Sequence, residues 1–276
     1  MVRYGMLIDV KKCISDRACD AACKNVNEIP VGEYNGREYY RMRPKDIELG
    51  TYPYVVRNNT QILCMQCEYP PCVAACPVRG ALYKRSDGIV IVDAKKCNGC
   101  QLCIPACPYD ALYYRADTKV VDKCDFCASY RDLAAGQLPV CVESCVGSCR
   151  TFGDLDDPKS EVSMRIQELN AKPLHPEYGT KPSIYYTPHS AVLHAAVTDA
   201  AGKIVRATAT LTNLETGATV TAATDKEGRF VFRRLKVGEA YSLAVNVDGY
   251  YTKMLGTVYI RDEYTDLKTM YLHRSM

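Results

Sequence analysis

"CNGCQLCIPACP" (residues 97–108) places cysteines at Cys97, Cys100, Cys103 and Cys107, with Pro108 directly after the last. The spacing C-x2-C-x2-C-x3-C-P has a geometric reason. Three thiolates two residues apart let one tight loop wrap three corners of an iron–sulfur cubane. The fourth opens a new segment at the proline and points to a neighbouring cluster. A lone C-x2-C pair would suit zinc as well; the complete run is specific for iron–sulfur. Because the fourth thiolate serves a second cluster, such a motif needs a partner motif.

The chain supplies three more. "CMQCEYPPCVAACP" (64–77) carries Cys64, Cys67, Cys72 and Cys76, again followed by proline. "CDFC" and "CVESC" carry Cys124, Cys127, Cys141 and Cys145. "CISDRACDAAC" (13–23) carries Cys13, Cys19 and Cys23, but Asp16 stands where the second cysteine belongs. Of the 16 cysteines these motifs leave only Cys149 unused, and none follows it. That clustering argues for metal ligation over a secreted disulfide scaffold. "CPVRGALYKR" (76–85) and "CPYDALYYR" (107–115) match after a one-residue gap, and "GIVIVD" (88–93) and "KVVD" (119–122) follow them. The pattern predicts two hairpins. The second and third motifs then form one ferredoxin-like unit, and the first and fourth bracket it as another.

Composition excludes other classes. The formal charge is +3. If three sites hold a [4Fe–4S] core with four thiolates each and the Asp16 site holds one with three, the former add two negative charges apiece and the latter adds one. The total falls to roughly −4. No basic block suggests nucleic acid. No apolar run of membrane-spanning length is present, so no direct membrane insertion is expected. The stretch before Cys13 does not read as a signal peptide. The expected location is cytoplasmic, or exported by riding on a partner that carries the signal.

Over about residues 5–160 the chain resembles the iron–sulfur subunits of the DMSO-reductase superfamily, in which a four-cluster electron-transfer chain partners a molybdenum- or tungsten-pterin catalytic subunit. The resemblance rests on the order of all four motifs and on "YPPCVAACP", "DGIVIVD" and "FGDLDDP" (152–158). Through "GTYP" (50–53), "YGTKPSIYY" (178–186) and the cysteine-free end, it also resembles the small subunit of pyrogallol–phloroglucinol transhydroxylase. Two departures stand: the third motif is complete here, and the first has Asp16.

The resemblance implies four ligand sets. Cys13, Asp16 and Cys19 share a site with Cys145. Cys23 joins Cys124, Cys127 and Cys141. Cys64, Cys67 and Cys72 join Cys107. Cys76 joins Cys97, Cys100 and Cys103. It further places the site of the first set nearest the catalytic subunit. That implies three [4Fe–4S] clusters plus one [4Fe–4S] or [3Fe–4S] cluster at Cys13/Asp16/Cys19/Cys145. A carboxylate is a harder, less electron-rich donor than a thiolate, so iron held by Asp16 would be labile. Cys149, four residues after Cys145, is the possible substitute.

Residues 24–63 form a long insertion rich in tyrosine and arginine, expected either to face a partner or to cover the cluster core. "DDPKSEVSMRIQELN" predicts a helix capped by Asp157, with Pro158 at its first position and Val162, Ile166 and Leu169 on one face. Residues 171–189, with four prolines, read as an extended linker. From 190 to 276, seven short strands separated by "DAAG", "ETG", "DKEG", "KVGE" and "DGY" predict an antiparallel, immunoglobulin-like or transthyretin-like β-sandwich, similar to carboxypeptidase-regulatory-like modules. His175, His189, His194 and His273 lie outside the cysteine region and read as surface or core residues.

The expected fold is therefore α+β: a four-cluster domain of two ferredoxin-like units (1–170), a linker (171–189) and a β-sandwich (190–276). The expected function is electron transfer to a large molybdopterin-containing subunit in a heterodimer of anaerobic metabolism, with no catalytic site on this chain and the pterin only in the partner. A hydroxylated aromatic is the expected substrate of the complex, by transhydroxylation or dehydroxylation. Reduction of a sulfur compound, arsenate or an S-oxide is the alternative. A free polyferredoxin and a zinc-stabilised scaffold are competing classes. The β module and the insertion argue against the first, and the run at 97–108 against the second.

Overall fold

The structure is a computed structural model describing residues 2–50, 52, 55–247 and 249–273. Thr51 and Pro53 of "GTYP", Asp248 of the "DGY" turn and residues 274–276 lie outside the described residues. The architecture is mixed α+β, with a strand-and-helix region first and a β-rich region last. Two compact units emerge: Met1–Asp46 with Asn59–Thr187, and Ile47–Asn58 with Pro188–Met276.

The first unit is organised around strand Tyr4–Ile8. Its side chains alternate between two buried faces. Met6 and Ile8 enter a core with Met42, Leu63, Met65, Phe126, Ile184 and several cysteines. Leu7 points the other way, onto Val162 and Ala171. The strand pairs antiparallel with Arg150–Asp154 and parallel with Ile184–Tyr186. The stretch expected as a linker is thus extended but not free. Its apolar Ile184 and Tyr186 fill the core, and Thr180, Ser183 and Thr187 are buried with them. Proline-rich composition conceals this, because an extended segment takes its hydrogen bonds from a strand far away in sequence.

Helix Glu161–Glu168 lies over Leu7, with Val162 fully buried beneath it. Its cap is Ser160, whose hydroxyl accepts the Ser163 N–H at 3.2 Å. Asp157 instead closes a turn by accepting the Lys159 N–H at 2.8 Å, and Pro158 sits in that turn. Both candidates have the right chemistry; the helix starts where its apolar side first meets the sheet.

The two repeated hairpins form as expected: Leu82–Lys84 pairs with Val90–Val92, and Tyr113–Arg115 with Val120–Asp122. The insertion is built of two further hairpins, Glu33–Tyr34 with Arg37–Glu38 and Met42–Leu49 with Val56–Leu63. Of its described tyrosines Tyr39 is buried, Tyr34 and Tyr40 are half-buried and Tyr52 is exposed. Tyr34 packs on Tyr114 and Tyr39 on Tyr113. Residues 47–58 belong to the second unit.

In the second unit, strands Arg229–Lys236, Ser190–Asp199 and Tyr264–Leu272 form one sheet, and Thr219–Ala223, Thr208–Asn213, Ala240–Asn246 and Lys253–Tyr259 another. Alternating residues from both sheets, including Leu193, Val197, Leu211, Phe230, Leu243 and Val245, make a single core. The sandwich is not wholly antiparallel: Ser190–Asp199 and Tyr264–Leu272 run parallel.

Candidate metal centres

Each C-x2-C loop turns at the same point. The residue just before the second ligand position has positive φ: Ser15 at 59°, Gln66 at 47°, Gly99 at 71° and Phe126 at 54°. Left-handed backbone is costly for residues other than glycine, and its recurrence at functional sites reflects surrounding structure that enforces it. At Gly99 no other residue fits, since a Cβ would lie 2.4 Å from the Lys119 carbonyl oxygen. The first motif keeps the turn, so Asp16 occupies the slot that Cys67, Cys100 and Cys127 occupy elsewhere.

The thiols gather into four neighbourhoods that mix residues from distant motifs. Cys23, Cys124, Cys127 and Cys141 line one small pocket. Cys76, Cys97, Cys100 and Cys103 line another. Cys67 and Cys72 lie within electrostatic range of Cys64 and Cys107. Cys19 lies within range of Cys13 and Cys145. A single metal ion requires its donors to converge on one point at about 2.0–2.3 Å. Among the described residues no three Cys, His, Asp or Glu side chains do so. The donor chemistry of the groups, soft thiols numbering four in three of them and three in the group of Cys13, Cys19 and Cys145, fits a thiolate-held iron–sulfur core.

Burial raises several of these thiols, whereas the Cys149 side chain draws Cys13 down to about 6. Burial pushes Cys103 up to about 11 and Cys67 and Cys72 up to about 12, with the neighbouring sulfurs adding to the shift. Cys23 and Cys124 rise further still for the same reasons. Each would release a proton on binding iron, since the thiolate is the ligand. The protein offers hydrogen bonds that stabilise such thiolates: Ala111 N–H to Cys107 Sγ at 3.5 Å and Cys149 N–H to Cys145 Sγ at 3.3 Å. Thr180 bonds Cys67, and Tyr130 bonds Cys127.

The neighbourhoods follow one another through short elements. Helix Ala18–Val26 carries Cys19 and Cys23 one turn apart, about 6 Å along its axis, into two different groups. Cys72 and Cys76 at helix Pro71–Ala74 link another two groups in the same way. Between the pairs, Gln66 donates to the Cys124 carbonyl at 2.9 Å and Lys123 Nζ donates to it at 3.0 Å. The group with Cys100 stands at the surface, where that thiol is exposed.

Two buried cations were not legible in the motifs. Lys123 is 2% exposed and bonds backbone carbonyls beside Cys124. Arg150 is 5% exposed and reaches Cys19 Sγ at 3.7 Å, Met6 Sδ at 3.5 Å and Met42 Sδ at 2.7 Å. A basic residue flanking the last cysteine is the only sequence sign of it. Arg41, in the insertion, pairs with Asp122 at 2.9 Å and Asp125 at 3.0 Å and holds the loop of Cys124 and Cys127.

Asp16 is exposed, and its Oδ1 accepts the Ala18 N–H at 2.8 Å. Cys149 is buried, with its sulfur 3.3 Å from Cys145 Sγ and hydrogen-bonded to Cys13.

A family profile described as a 4Fe-4S dicluster domain matches residues 57–155, as one such domain and not two. A carboxypeptidase regulatory-like domain matches residues 192–271. Among similar proteins, a tetrathionate reductase subunit of Salmonella typhimurium is 41% identical over 187 residues, covering 67% of this chain and 72% of that protein. A polysulfide reductase chain of Wolinella succinogenes is 42% identical over 190 residues, covering 68% and 95%. A selenate reductase subunit of Mesobacillus selenatarsenatis is 35% identical over 218 residues, covering 67% and 72%.

Proposed function

The protein belongs to the iron–sulfur electron-transfer subunits that accompany DMSO-reductase-superfamily molybdopterin enzymes, and from that premise we propose that it is the electron conduit of a complex acting on a sulfur compound or an oxyanion. It is a non-catalytic subunit of a larger oxidoreductase. The names of its relatives refer to tetrathionate, polysulfide and selenate. They favour this substrate class over the hydroxylated aromatic expected from the sequence.

The observation that carries the reading is the assembly of thiols from separate motifs into four neighbourhoods in series. Each would hold one cluster, four in all, in two ferredoxin-like halves. When bound, the clusters supply one-electron chemistry. The protein's part is to fix their order, exclude water with Met6, Met42, Leu63 and Phe126, and set their potentials through Arg150, Lys123 and N–H···S bonds. The molybdopterin belongs to the partner chain, which supplies the substrate site.

Anaerobic purification with its native partner tests this. We expect about 16 iron per chain, molybdenum or tungsten with pterin in a separate larger chain, and dye-coupled reduction of tetrathionate, polysulfide or selenate. About 8 iron, or stoichiometric zinc, defeats the four-cluster reading. Turnover of hydroxylated aromatics alone defeats the substrate class.

A further inference from the structure

We infer that Cys149, and not Asp16, supplies the fourth ligand of the cluster held by Cys13, Cys19 and Cys145; this rests on the iron–sulfur reading above. Asp16 stands in the ligand slot by register, because Ser15 keeps the left-handed turn found in the other three loops. One oxygen of its carboxylate is engaged elsewhere. Oδ1 accepts the Ala18 N–H at 2.8 Å, at the start of helix Ala18–Val26, and the side chain is exposed. An aspartate there does what a short polar side chain does at a helix start: it satisfies an orphan N–H.

Cys149 has the opposite character. It is 3% exposed, its sulfur is 3.3 Å from Cys145 Sγ, and it is hydrogen-bonded to Cys13. The backbone holds it there from both sides. The Cys149 carbonyl accepts the Asp9 N–H at 2.7 Å, and Arg150 pairs with Ile8 in the adjoining strand register. Gly147 lies so close to Lys12 that a Cβ would be 2.6 Å from its carbonyl oxygen. The segment 147–149 is therefore fastened against the residues leading into Cys13. A thiol buried beside the Cys145 and Cys13 thiols and the Arg150 cation is a better iron donor than a solvated carboxylate engaged with a backbone amide.

On cluster binding the Cys149 sulfur forms the bond to iron and its proton leaves to solvent, so no oxidant or reductant is consumed. The site then carries four thiolates like the other three. Its iron is as tightly held as theirs, which removes the labile corner that Asp16 ligation would create.

The test compares Cys149→Ala, Asp16→Ala and the double variant Asp16→Cys/Cys149→Ala in the complete anaerobic complex, by iron per chain and by EPR of oxidised and reduced samples. We expect Cys149→Ala to lose about one iron and to show a three-iron cluster signal when oxidised, while Asp16→Ala matches wild type in both. The double variant, which restores the four-cysteine motif, regains the wild-type iron content. If Cys149→Ala yields no complex, Asp16→Ala decides: wild-type iron content and EPR signal support the inference, and a lost iron or an altered signal overturns it. A changed signal in Asp16→Ala, or an unchanged one in Cys149→Ala, also overturns it. Wild-type complex without iron would remove the iron–sulfur reading itself, a result distinct from either.

Discussion

Arg150 illustrates how one side chain can govern two centres. Its guanidinium is buried against Cys19 and lies within electrostatic range of Cys141, which belongs to the next group. A buried cation favours the more negative, reduced form of each cluster and so raises its potential. At an effective dielectric of about 20 and a separation of about 8 Å, the interaction is on the order of 2 kcal/mol. That corresponds to roughly 90 mV for a one-electron couple. Arg150→Met, with a side chain like Met6 and Met42 around it, should therefore lower two midpoint potentials by tens of millivolts and leave the other two in place. Redox titration followed by EPR measures this; unmoved potentials would show that the charge is neutralised by its surroundings. The residue was invisible to motif reading because spacing identifies ligands and not the charges behind them. Asp16 was half legible in the same sense. Register put it in the ligand slot and spacing named Cys149 as the possible substitute, while the structure adds the Ala18 N–H bonded to Asp16 and the contact of Cys149 with Cys145.

At the scale of the element, the C-x2-C loop and its hairpin are one device. The Gly99 turn sits against the Lys119 carbonyl, in the turn that joins Tyr113–Arg115 to Val120–Asp122. Gly99→Ala would place a methyl 2.4 Å from that oxygen and strain a φ of +71°. We expect the site of Cys76, Cys97, Cys100 and Cys103 to be lost or labile, with iron falling by up to about four per chain. Iron analysis and the disappearance of one EPR component check it; full retention would mean the loop shifts without cost. Helix Glu161–Glu168 gives a milder case. Ser160→Ala removes its cap and should destabilise the first unit by about 0.5–2 kcal/mol, whereas Asp157→Ala should have less effect. Thermal denaturation of both variants separates the two caps. Hairpins and cysteine loops were readable because their signals are local. The cap and the strand Ile184–Tyr186 were not, since each is decided by what it packs on: the face under Val162 for the one, and Met6 to Ile8 for the other.

At the scale of the whole molecule, the two cores are built on different principles. The first places thiols among its apolar residues, so on the proposed iron–sulfur reading its folding would be coupled to metal binding. The second holds Leu193, Val197, Leu211, Phe230, Leu243 and Val245 between two sheets and contains no cysteine. The sequence already divides them by where its cysteines stop, but it does not show that residues 47–58 leave the first unit for the second. There, the Asn58 side-chain amide bonds the Glu263 carboxylate, a link across 205 positions that no local signal announces. Removing iron with a chelator under denaturing stress should unfold the first unit while the strands of 190–272 keep their far-UV signature and amide protection. Ending the chain at Thr187 is the complementary cut. We expect all clusters to remain, because no cysteine and no residue hydrogen-bonded to one lies beyond that point among the described residues. The tip of the hairpin Met42–Leu49 with Val56–Leu63, deprived of the unit it belongs to, should become the first site of proteolysis. Iron content and the mapped cleavage site of the truncated chain, measured in complex with its partner, test both halves together. Lost iron would show that the sandwich is part of the cluster fold, and a protected hairpin would show that 47–58 folds on its own.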